Sequence, residues 1–154
     1  MEYTCEIEID APREEVCARF DSIENLKYWQ PGFVSYEHLE GEEGAPGSKA
    51  RLLYKNRGRD VEMIETIIAR RPPEEFSAAF DADAMHMEVR GYFHELPDGR
   101  THYVTENVAE VSGFFLKMIT ILMPGCFKKM SQQYLDYFKA FVEDGADIRD
   151  MKKG

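Results

Sequence analysis

The sequence predicts an α+β domain, a curved antiparallel sheet of about seven strands wrapped around one long C-terminal helix, with two short helices after the first strand. Three observations lead there. Residues 127–143, FKKMSQQYLDYFKAFVE, place Phe127, Met130, Tyr134, Tyr137, Phe138, Phe141 and Val142 on one side of a helix, and Lys128, Lys129, Gln132, Gln133, Asp136, Lys139 and Glu143 on the other. That apolar arc, roughly 160° wide, is broader than a coiled-coil seam and asks for a large apolar surface. From Phe33 to the apolar run at Gly113 the signals are strands and turns, and they can supply it.

Glu2 to Asp10 alternates, with Tyr3, Cys5, Ile7 and Ile9 on one face, as a half-buried strand does. Asp10-Ala11-Pro12 then starts a helix, with a capping-type residue, proline in the first turn, and Glu14 and Glu15 near the positive end of the dipole. Asp21-Ser22 re-caps a second short helix that ends near Trp29, before Pro31-Gly32. Strands follow over 33–39, 49–55, 61–69, around Phe76-Ala78-Phe80, and over 85–94, broken by the loop 41–47, the turn Asn56-Arg57-Gly58 and Pro72-Pro73. Leu96-Pro97-Asp98-Gly99-Arg100 reads as a three-residue hairpin loop, with Gly99 in the left-handed position. That loop fixes a register: Phe93 opposite Tyr103, Gly91 opposite Thr105, Val89 opposite Asn107, and His94 opposite His102 on the other face. Residues 113–123, GFFLKMITILM, read as an apolar helix across the mouth of the sheet, broken at Pro124-Gly125. Gly145 is a natural stop, so residues 1–145 form one domain and 146–154 read as a frayed tail.

The chain of 154 residues is long enough for a sizeable core, and its net charge of −10, from 29 acids against 19 bases, argues against nucleic acid as a partner. No run is long enough for stable membrane insertion, and the acidic N-terminus lacks the pattern of a signal peptide. Cys5, Cys17 and Cys126 form neither a full disulfide framework nor a zinc pattern; a reducing, cytoplasmic location fits them best. No metal or cofactor is indicated. His94 and His102 read as an outer-face pair lacking a third ligand.

The order of strand, two short helices, six strands and long helix is the helix-grip order. IEIDAPREEVCARFDSIENLKYWQPG, LEGEEGAPGSKARL, IIARRPPEEF, DGRTHYVTENV and the terminal helix resemble the START-like (SRPBCC) superfamily, in its bacterial polyketide cyclase/dehydrase-like branch, over about residues 3–143. The resemblance implies an apolar or amphipathic ligand enclosed between sheet and helix. It implies no iron, because the cysteine-histidine ligands of Rieske-type members are missing, and no catalytic set of the aromatase/cyclase members matches residue by residue.

On this reading the cavity is lined by Leu52, Tyr54, Met87, Phe93, Tyr103, Asn107, Met130, Tyr134 and Tyr137, with Trp29 and Met118 near its entrance. Gly91 opposite Thr105, beside Asn107, leaves room and hydrogen-bonding capacity there. Glu65 is the candidate acid-base residue, with a tyrosine of the cavity as the other group that could move a proton. With Met63 and Ile67 inward it is a carboxylate in an apolar cavity; with Ile64, Thr66 and Ile68 inward it is surface decoration, and periodicity leaves both open. The expected function is binding of a small hydrophobic or aromatic ligand, lipid- or polyketide-like. The alternatives are a cyclase or dehydratase acting in the same cavity, or a regulator whose 113–123 segment, with Phe114, Phe115 and Ile119, docks a protein. A weak homodimer is left open.

Overall fold

The computed structural model describes residues 1–151. Strand β1 (Glu2–Ile9) is followed by α1 (Arg13–Asp21), a single turn at Ile23–Asn25, and α2 (Leu26–Trp29). Six strands come next: β2 (Phe33–Glu40), β3 (Lys49–Asn56), β4 (Arg59–Arg71), β5 (Glu75–Ala82), β6 (Met85–Glu95) and β7 (Thr101–Val111). The helices α3 (Phe114–Leu122), α4 (Cys126–Asp144) and α5 (Ile148–Met151) complete the chain. The seven strands form one antiparallel sheet in the order β1-β7-β6-β5-β4-β3-β2. This is the expected α+β helix-grip architecture.

Local chemistry explains most of the elements. The β6–β7 loop closes through Gly99 N–H to Leu96 O and Leu96 N–H to Arg100 O, with Gly99 at φ 87°. It sets the expected pairs Phe93–Tyr103, Gly91–Thr105, Val89–Asn107 and His94–His102. Gly145 closes α4 at φ 66°, its N–H donating to Phe141 O. The expected caps differ. Neither Asp10 nor Ser22 caps a helix with its side chain; the Asp10 N–H instead donates to Glu143 Oε2 at 2.7 Å, tying the end of β1 to α4.

The core lies where the second half of α4 meets α1, α2, β1, β6 and β7. Phe138, Phe141, Val142 and Leu135 pack there against Trp29, Val16, Cys17, Cys5, Ile9, Phe93 and Tyr103. Phe20 is a hub of this cluster, with its ring 5.4–5.8 Å from Trp29, Phe76, Phe93, Tyr103 and Phe138.

Three expectations about packing are corrected. The room at Gly91 is already taken, since a Cβ there would lie 2.9 Å from Phe76 O and 3.0 Å from the Tyr103 hydroxyl. Gly91→Ala is therefore expected to cost about 1–3 kcal/mol in chemical denaturation, and a neutral result would show that Tyr103 is free to move aside. Second, α3 forms but leaves much of its apolar surface open: Phe114 is 81% exposed and Ile121 and Leu122 are exposed too, while Leu116 and Ile119 are half-buried. Its intrahelical bonds, such as Lys117 N–H to Gly113 O, help to shape it. Third, the tail is not frayed through 151. Ile148 is buried, α5 packs on α2, and the Arg149 guanidinium lies 5.3 Å from the Tyr28 ring centre. An apolar residue three beyond the Gly145 stop gives the chain a reason to turn back; residues 152–154 lie outside the described residues.

Candidate ligand cleft

The concave face of the sheet is not filled beyond this core. A cleft of about 260 Å³ remains between the α1–α2 corner and strands β2–β5. The corner contributes Phe20, Asp21, Ile23, Leu26, Trp29 and Gln30, and the sheet contributes Tyr36, Leu52, Glu65, Ile67, Phe76 and Phe80. Glu43 and Gly44 from the β2–β3 loop and Arg70 from β4 complete the rim.

Register decides which way Glu65 faces. Arg57 and Gly58 both take positive φ (51° and 80°), the signature of a two-residue hairpin turn, and they pair Asn56 with Arg59. Counting back, Leu52 sits opposite Met63 and Ala50 opposite Glu65. Ala50, Leu52 and Tyr54 are buried on the concave face, so Val61, Met63, Glu65 and Ile67 share it. Glu65 thus points into the cleft, and the surface alternative falls away. Among the described residues no hydrogen-bond or ion-pair partner meets its carboxylate. Burial pushes its pKa up from 4.5 to about 7. The Tyr36 hydroxyl is also raised, by burial first and then by Glu65 and Glu43.

Arg70 and Asp21 pair with each other. Arg70 Nε donates to Asp21 Oδ1 at 3.0 Å and its Nη2 to Asp21 Oδ2, a fork that fastens the end of α1 to β4. The Tyr54 hydroxyl donates to Gln30 Oε1 at 2.7 Å just behind the lining, and burial raises its pKa strongly. Trp29 is 4% exposed, and its indole N–H has no acceptor among the described residues.

Of the residues expected to bind ligand, the cleft brings together Trp29 and Leu52, with Glu65 beside them. The rest lie elsewhere. Phe93 and Tyr103 stack on each other at 4.5 Å inside the core. The Asn107 amide is spent on the protein, donating to Thr105 Oγ1 at 3.0 Å and to the carbonyls of Thr105 and Tyr3. Met87 is half-buried opposite Phe80. Tyr134 and Tyr137 are half-buried on α4, Tyr137 against the core. Met118 is exposed and Met130 is 52% exposed. The cause is the course of α4. It runs along β1, with Tyr3 hydrogen-bonded to Ser131 at 2.8 Å, and its second half, with Leu135, Phe138, Phe141 and Val142, fills the interior, while Met130 in its first half is exposed. Sequence reasoning missed Phe20, Gln30, Tyr36, Arg70, Phe76 and Phe80. Phe76 and Phe80 were legible as one face of a strand, but the corner residues needed the placement of α1 and α2.

Among the described residues, no three His, Cys, Asp or Glu side chains gather as a metal site would need, and no helix is long and apolar enough to cross a membrane.

A family model described as polyketide cyclase/dehydrase and lipid transport matches residues 2–143. The chain belongs to that family. Structures similar to this family member share its fold at low identity. A conserved protein from Geobacillus kaustophilus has a TM-score of 0.76 at 16% identity, covering 95% of this chain and 97% of that one. A Thermus thermophilus protein gives 0.72 at 20% identity, covering 92% and 97%. The di-domain ARO/CYC protein BexL gives 0.70 at 18% identity, covering 93% of this chain and 50% of that one. No curated protein matches this family member in sequence.

Proposed function

We propose that the chain binds a small aromatic or apolar organic molecule in the cleft between the α1–α2 corner and strands β2–β5. The observation that carries this reading is the cleft itself: aromatic and aliphatic walls around one inward carboxylate, the composition of a ligand site. Its volume of about 260 Å³ limits the guest. A cavity of roughly 150 Å³ holds benzene, and drug-sized sites begin near 300 Å³. A compound of one or two rings suits it better than a long acyl chain or a multi-ring polyketide. Native mass spectrometry of protein purified from its own host is expected to show a bound small molecule. Finding none, together with no response of Trp29 fluorescence to small aromatic probes, whether amine, alcohol or carboxylate, would sink the reading.

Glu65 favours a second reading, an enzyme of cyclase or dehydratase type in the same cleft. Held up at about 7, its carboxyl can give or take a proton at neutral pH. Recovery of the bound compound unchanged after long incubation favours a carrier; conversion that stops in Glu65→Gln favours the enzyme. The docking alternative keeps its requirement at Phe114, which is exposed, while Ile119 is half-buried and the side chain of Phe115 lies outside the described residues. The cleft carries the stronger argument, because it combines an enclosed apolar lining with an inward carboxylate that no protein group among the described residues pairs.

A further inference from the structure

We propose that the cleft selects an organic cation, an ammonium carried on an aromatic or apolar body, with the ammonium seated against Glu65. This rests on the reading of the cleft as a ligand site and goes beyond it by fixing the ligand's charge.

The lining holds three carboxylates, Asp21, Glu43 and Glu65, against one guanidinium, Arg70. Arg70 is engaged by Asp21 through Nε and Nη2, so the charges of this pair cancel. Glu43 sits exposed on the rim and Glu65 lies within, and neither has a cationic partner among the described residues. An anionic guest would meet two uncompensated acids. A neutral guest would leave the inner carboxylate unpaired or force it to hold a proton. A cation pairs with it and offsets the cost of its burial through a direct charge contact.

The walls point the same way. Five rings, Phe20, Trp29, Tyr36, Phe76 and Phe80, line the cleft. Ring faces attract a cation within about 6 Å, and the attraction strengthens where water is excluded. The same rings accept an apolar body, and the volume admits one ring with a short amine arm. Tyr36 from β2 and Tyr54 from β3 also face this region, both with raised pKa values, so neither adds charge at neutral pH.

Three probes with one body and different charge test the proposal: phenethylamine, phenethyl alcohol and phenylpropionate. Trp29 is the chain's single tryptophan and lines the cleft, so its fluorescence reports occupancy. Above pH ~8, where Glu65 is ionised, phenethylamine is expected to bind at least ~10-fold more tightly than phenethyl alcohol, and phenylpropionate more weakly than either. Glu65→Gln should abolish the amine's advantage while the alcohol still binds. Alcohol binding with no preference for the amine, or a preference that survives in Glu65→Gln, overturns the charge assignment and leaves the carrier reading standing. No response to any of the three overturns both.

Discussion

Glu65→Gln is expected to stabilise the fold by up to about 3 kcal/mol above pH ~8 and to change nothing below pH ~4. Below 4.5, folded and unfolded chains both hold the proton, so a neutral amide replaces a neutral acid. Between 4.5 and about 7 the unfolded chain has released the proton and the folded chain still holds it, so stability falls as pH rises. Above about 7 both are ionised, and the wild-type chain carries the full cost of a charge lodged among apolar side chains. Each tenfold displacement of the proton equilibrium is worth about 1.4 kcal/mol, which sets the ceiling. Urea titrations of both proteins across that range would test it, and parallel curves at every pH would show that solvent reaches the carboxylate freely.

Phe138→Ala should unfold the protein more readily by about 3–5 kcal/mol, the cost of deleting a fully enclosed ring. Phe138 is almost completely buried, with Trp29, Phe20 and Tyr103 at ring separations of 4.9, 5.5 and 6.2 Å. It is the residue by which α4 holds the α1–α2 corner against the sheet. Since Phe20 and Trp29 also form part of the cleft wall, probe binding should weaken along with stability. Phe114→Ala, on the exposed face of α3, serves as the contrast and should lie within about 0.5 kcal/mol of wild type. A loss below about 1 kcal/mol at Phe138 would mean that the core is centred elsewhere.

The architecture was legible because its signals are local. Alternation over Glu2–Ile9, the left-handed Gly99, the Gly145 stop and the arc of α4 each specify an element without knowledge of the rest. The cleft was not, for two physical reasons. An amphipathic helix declares that it has a buried face but not what it buries against. Reading part of that face as cavity wall assigned Met130, Tyr134 and Tyr137 to a ligand, whereas α4 spends its second half on the core, with Tyr137 packed against it, and leaves Met130 exposed. Glu65 was undecided because both rows of β4 carry apolar residues, Met63 and Ile67 against Ile64 and Ile68. The information was present one turn away. Arg57-Gly58 fixes the β3–β4 register as firmly as Gly99 fixes β6–β7, and counting through it from the clean alternation of β3 turns Glu65 inward.

An open sheet has two free margins, and here they are guarded differently. At one, β1 is backed by the length of α4. At the other, β2 presents Glu37, His38 and Glu40 and slips register twice, between Phe33 and Ser35 and between His38 and Glu40. A visiting strand would find its ladder interrupted and acidic side chains along the way, so this border resists templating of aggregates even though the concave surface behind it stays open to small molecules.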